Sequence, residues 1–92
     1  MRFTWAYAKR RSNLVRHGLD FAGAAKVFAR PRVLFEDQRA DYGEQRMIGI
    51  GLLGALVVLV VHVESDESIH VISMRKATQN ETHLYYRELG YF

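Results

Sequence analysis

Four polar residues occupy stretches that are otherwise apolar: Arg46, His62, Arg75 and Lys76. Burying a polar group in a strand costs free energy unless it is satisfied, so such residues usually have a task. Strand alternation would put Arg75 on one face with Ser73, Val71 and Ile69. It would put Lys76 on the other with Met74 and Ile72, so only one of the pair should line a given cleft. Glu44 precedes Arg46 by two positions, where it could be its ion-pair partner or a general base. Cations gathered at strand ends can hold a phosphodiester and stabilise the extra charge of its transition state. The alternative for each Arg or Lys is a surface charge whose stem snorkels over the sheet. For His62 the alternative is a hydrogen-bonded histidine at the sheet margin.

Other chemistries lack their residues. His17, His70 and His83 make no metal-type spacing with one another or with a carboxylate pair. No serine lies in a nucleophile elbow. Gly49-Ile50-Gly51 does not run into a helix as a phosphate loop does. The chain has no cysteine, which excludes disulfides and thiolate chemistry and fits a reducing cytoplasm. No cofactor or metal is expected. His17 sits before Gly18 at a helix end, where the dipole favours an imidazolium. It reads first as a helix terminator, with proton transfer as the other reading.

Charge is divided unevenly. Residues 1–35 hold eight Lys or Arg and one acid, whereas residues 36–92 hold five basic and nine acidic residues. Such asymmetry points to a polyanion or an acidic partner. The other reading is a solvated basic helix face.

The elements that must position these residues follow from pattern. The 92 residues form one domain, residues 1–92. Arg2 to Trp5 is a short strand. A helix follows from Ala6 to His17, with Trp5, Ala8, Ser12 and Val15 as its inward stripe and Lys9, Arg10 and Arg16 turned away. Gly18 stops it, and Asp20 caps a second helix whose stripe is Phe21, Ala24, Ala25 and Phe28. Pro31 ends that helix. A strand at Arg32 to Asp37 and a polar loop at 38–43 come next. Three strands are then expected: Glu44–Leu52, Ala55–Glu64 and Ser68–Lys76. Thr78 to Glu81 is a capping box opening a last helix that stops at Gly90. The order β-α-α-β-β-β-β-α predicts an α+β fold: an antiparallel meander, with the first strand joining at an edge.

Met47 to Val63 carries no formal charge. Seventeen residues reach only about 25 Å as a helix, short of the roughly 30 Å of a bilayer core. Its valines favour strands, and "GLLG" at 51–54 reads as a reversal. The stretch is therefore expected to be a buried hairpin, with no membrane span, and Leu56–Val61 should form a central strand covered on both faces. The cationic N-terminus lacks the apolar core of a signal peptide.

The order and spacing of Asn13-Leu14, His17-Gly18, Gly43-Glu44, Arg46, Ile50-Gly51 and "ISMRKAT" at 72–78 resemble the BrnT toxins of bacterial type II toxin–antitoxin systems. The resemblance covers Phe3 to about Tyr86. It implies a RelE-like fold, a cytoplasmic endoribonuclease that arrests growth without a metal, and neutralisation by a BrnA-like ribbon-helix-helix antitoxin. It further implies a 2:2 complex that touches operator DNA only through the antitoxin. In that frame Arg46 and Arg75 would neutralise the phosphorane-like charge. Glu44, His62 or His17 would move the proton, and Lys9, Arg10, Arg16 and Lys76 would contact RNA phosphates. The alternative is a non-catalytic module that binds RNA or an acidic protein.

Overall fold

In the computed structural model, which describes residues 1–90, the chain runs β1 (Arg2–Thr4), α1 (Tyr7–His17), a 3-10 turn (Phe21–Gly23), α2 (Ala24–Phe28), β2 (Val33–Glu36), β3 (Met47–Leu53), β4 (Leu56–Glu64), β5 (Ser68–Lys76) and α3 (Gln79–Glu88). The five strands make one sheet in the order β1-β5-β4-β3-β2. All neighbours are antiparallel except β1, which joins the β5 edge in parallel. The expected α+β order and the edge position of the first strand are both present.

The uncharged run folds as the β3–β4 hairpin. The two residues Gly54 and Ala55 turn it, Gly54 with a φ of 62°, and Leu53 pairs with Leu56. The expectation of a reversal over all of "GLLG" is thus corrected, because Gly51 and Leu52 remain in the strand. Gly49 and Gly51 serve packing instead. A Cβ on Gly51 would stand 2.9 Å from Val27 Cγ1, whereas one on Gly49 would meet nothing nearer than His62 Cε1 at 3.5 Å. A bare strand surface is what lets α2 lie close.

Covering both faces of the sheet makes β4 central, as its apolar sequence requires. Val57 to His62 are all buried. On one face Phe21, Ala24 and Val27 pack against Val58, Val60, Val71 and Met74. On the other, Tyr85 of α3 packs against Ile48, Ile50, Leu59 and Val61. The buried set Phe21, Ala24, Val27 recurs every third residue, because the segment opens as a 3-10 turn with three residues per turn. Ala25, expected inside, is exposed. Local caps are as the sequence indicated. Gly18 terminates α1 in the left-handed region, Asp20 accepts from the Ala22 N–H, and the Thr78–Glu81 capping box is complete.

Two expectations are overturned. The first is the inward stripe of α1: Ala8, Ser12 and Val15 face solvent, with Val15 89% exposed, and the one buried residue of the helix is Asn13. Its carboxamide donates to the Met74 and Leu19 carbonyls and accepts from the Met74 N–H. Unpaired backbone groups at a buried sheet edge outweigh a few apolar contacts in choosing the face. The second is the alternation along β5. A bulge opposite Val61/His62 pairs Val71 with His62 but Ser73 with Val61. The extra residue inverts the side-chain parity, so Ser73 and Arg75 lie on the α3 face while Ile69 and Val71 lie on the α2 face. Likewise Lys76 shares the α2 face with Met74, but Ile72 packs toward α3.

The two strand glycines make a paired prediction. Gly51→Ala should lower stability by about 1–3 kcal/mol through overpacking against Val27. Gly49→Ala should cost much less. Urea midpoints of the two variants test this, and equal losses would contradict the packing role assigned to Gly51.

Candidate functional site

Two cationic regions form around β5. The first is a belt of paired arginines on the α3 side. Arg75 is fixed by Glu81, with Nη1 and Nη2 donating to its two carboxylate oxygens at 2.8 and 3.0 Å. Glu81 also accepts from the Thr78 N–H, so the capping box of α3 is anchored to the sheet through Arg75. The Glu81 hydrogen bonds raise the Arg75 pKa, against smaller effects of burial and of repulsion from Arg39. Reciprocally, Arg75 holds the Glu81 carboxyl below its ordinary value.

Arg39 enters this belt from the loop after β2, which in sequence is a polar loop with no assigned site residue. Its Nε and Nη2 donate to Asp37, both at 2.8 Å, and Tyr42 Oη donates to the same carboxylate. Arg46 stacks over the Tyr42 ring at 4.2 Å and donates to Glu44 at 3.2 Å. Of the two readings left open for Glu44, the ion pair is the one formed. β3 begins at Met47, so Glu44 and Arg46 belong to the loop. The fold therefore gathers Arg46, Glu44 and Arg75 along one belt, but each cation already holds a carboxylate. The pattern "EDQRADYGEQR" carried the signal, in an acid two residues before each arginine.

The second region is a shallow groove of about 70 Å³ between α1 and the β5 bulge. It is lined by Lys9, Ser12, Asn13, Arg16, His17, Ile72 and Ser73. Lys9, Asn13, Arg16 and His17 fall at i, i+4, i+7 and i+8, hence on one helix face. The Asn13 clamp turns that face to the sheet edge. Lys9 and Arg16, read from sequence as pointing away, in fact flank the docking contact. No carboxylate lines the groove. Ser73 shares the α3 face with Arg75, two residues and about 7 Å along the strand.

The other candidates lie elsewhere. His62 is fully buried on the α2 face, edge-on to Phe28 at 4.8 Å. Its Nδ1 meets the Val60 carbonyl and its Nε2 meets Glu64 at 2.9 Å. It therefore faces neither the belt nor the groove, which corrects its grouping with Arg75. Arg10 ties α1 to the next turn, donating twice to Asp20 at 2.7 and 3.0 Å beneath a cation–π contact with Trp5. Lys76 is exposed on the face opposite Arg75. Among the described residues, no group of three His, Asp or Glu is placed to hold a metal ion, and no helix is long and apolar enough to cross a membrane.

The elements define a small α+β domain: one sheet covered on both faces, with a basic first helix against its edge. The structure superimposes on the crystal structure of the Brucella abortus ribonuclease toxin BrnT with a TM-score of 0.69 and 34% identity, covering 86% of this chain and 99% of that one. The profile of the family described as "Ribonuclease toxin, BrnT, of type II toxin-antitoxin system" matches residues 5–81. The chain belongs to this BrnT family of ribonuclease toxins. No curated protein is significantly similar in sequence.

The paired carboxylates make stability acid-sensitive. Hydrogen bonds from Arg39 hold the Asp37 carboxyl down to about 2, and those from Arg10 do the same for Asp20. A depressed carboxyl stabilises the fold fully above its unfolded pKa near 4 and loses that contribution as pH falls toward 2. The urea midpoint should therefore drop between about pH 4 and pH 2. In Asp37→Asn the midpoint should start lower at neutral pH and fall less steeply with acid. An unchanged slope in that variant would exclude Asp37 from the linkage.

Proposed function

We propose that this toxin cleaves RNA at the groove between α1 and the β5 bulge, without a metal ion. The observation that carries the reading is the convergence of Lys9, Arg16 and His17 on a groove with no acid in its lining. The arginines of the belt, by contrast, already share their charge with Glu44, Asp37 and Glu81. Uncompensated cations are where a phosphate gains most. Lys9 and Arg16 hold the scissile phosphate. The imidazole of His17 takes the proton of the 2′-hydroxyl, whose oxygen attacks the adjacent phosphorus. The bond to the 5′-oxygen breaks, water protonates the leaving oxygen, and a 2′,3′-cyclic phosphate remains. Lys9 and Arg16 stabilise the extra charge of the transition state, and Arg75 adds a fixed positive charge further along the face. Glu44 and Arg46 pair with each other and stand outside this catalytic group. His62 is also outside it, since its ring has no exposed surface.

His17→Ala should lower kcat on an unstructured RNA by about 10²-fold or more, the usual worth of a positioned acid or base. Lys9→Ala and Arg16→Ala should each raise KM and reduce the salt slope of RNA binding by about 0.7. Activity should persist in a chelator. Full activity of His17→Ala would move proton transfer elsewhere, and loss of activity on chelation would sink the metal-free mechanism.

For the partner, the family supports a cytoplasmic antitoxin encoded beside the toxin. We take it to be BrnA-like, with a dimeric ribbon-helix-helix domain that alone contacts operator DNA. Dimerisation through that domain gives a complex with two copies of each chain. The mass of the co-purified complex tests this, and a 1:1 mass would exclude the 2:2 assembly.

A further inference from the structure

Helix α1 is amphipathic in the wrong sense for a helix packed on a core. Its polar side, Asn13 with Lys9, Arg16 and His17, faces the sheet edge. Its apolar side faces out: Tyr7 is 69%, Leu14 45% and Val15 89% exposed. Ala8, Arg11, Ser12, Val15 and Arg16 shape a depression of about 540 Å³ on that outer side. Apolar residues at i, i+7 and i+8 form the seam a second helix would take. Residues 1–19 contain no acid. Arg11 lies within the seam, four residues from both Tyr7 and Val15, with its guanidinium 5.8 Å from the Tyr7 ring, and Arg16 borders the depression.

We propose that this outer face of α1 is a docking surface for an acidic amphipathic helix of the antitoxin. The family reading supplies only the existence of that partner. The surface and its chemistry come from the helix. A second copy of this chain would bring Arg11 and Arg16 against their own likenesses, a juxtaposition that opposes self-association. RNA could stack on Tyr7 but would gain little from Val15 and Leu14, which neither pair with phosphate nor stack on bases and which need an apolar partner. A partner helix with leucines against Leu14 and Val15 and glutamates placed to meet Arg11 and Arg16 satisfies both the apolar surface and its charges.

The test uses the full toxin chain and the purified protein encoded by the adjacent reading frame, with affinity measured by calorimetry. Because Val15 is almost wholly exposed, Val15→Glu should keep its circular dichroism and its RNA cleavage rate. It should weaken the complex at least 100-fold. Arg11→Glu should weaken it at least 10-fold and flatten its salt dependence. Wild-type affinity in Val15→Glu would overturn the docking surface while leaving the toxin assignment intact. Absence of binding by the wild-type chain would overturn both. A wild-type dimer that Val15→Glu converts to monomer would make a second copy the occupant and overturn the proposal. Loss of RNA affinity in Val15→Glu with the partner still bound would make the face an RNA surface and overturn it equally.

Discussion

The paired hydrogen bonds between the Asn13 carboxamide and the backbone of Met74 fix the relation of helix to sheet. β1 ends at Thr4, opposite His70, so the outer edge of β5 has no strand beside it from Val71 onward. A buried edge with open N–H and C=O groups is costly. Asn13 closes it by offering a donor and an acceptor with the spacing of a peptide group. Its second amide hydrogen reaches the Leu19 carbonyl and so also fixes the exit of α1. No other side chain of similar size offers a neutral donor and acceptor together at that reach. The choice of face follows, and with it the groove on one side of α1 and the exposed apolar stripe on the other.

Charge pairing sorts the many cations. Arg10, Arg39, Arg46 and Arg75 each meet a carboxylate within 3.2 Å. Arg10 ties helix to loop and Arg75 ties sheet to helix, while the Arg39–Asp37 and Arg46–Glu44 pairs hold the loop between β2 and β3 on itself. Asp37 shows the stakes best, since its side chain has no exposed surface and its charge is tolerable only because Arg39 and Tyr42 satisfy both oxygens. Exposed pairs of this kind add little stability each. Their larger effect is to offset part of the charge of four arginines. What remains near the sheet edge is Lys9, Arg16 and His17, all from the strongly basic N-terminal third of the chain.

Much of this was legible locally. The αL stop at Gly18, the Asp20 cap, the Thr78–Glu81 box and the buried hairpin depend on a few neighbouring residues, and each is present. The structure departs from the local pattern where a distant partner decides. The stripe Trp5, Ala8, Ser12, Val15 is more apolar than the Asn13 face, and only the open edge of β5 reverses the preference. A single bulged residue put Arg75 on the opposite face from Val71, and nothing in "SIHVISMRK" marks its position. Gly51 reads as a turn residue in "GLLG" because the approach of Val27 is not visible in sequence. His62 looked functional for its polarity alone, although Glu64, two residues on, already supplied the partner that satisfies it.

The two sides of α1 are not independent. Arg16 lines both the groove and the outer depression. Its position near the last turn puts it at the boundary between the cationic inner face and the apolar outer one. A long, flexible guanidinium there can turn to a phosphate on one side or to a carboxylate on the other, but it cannot extend along both sides of the helix at once. An acidic helix seated on the outer face would therefore compete with RNA for Arg16 without covering the groove. By the reciprocity of linked equilibria, RNA in the groove would weaken the helix by the same factor. An eleven-residue helix, held by one amide and one arginine pair, would thereby couple substrate and inhibitor through a shared charge.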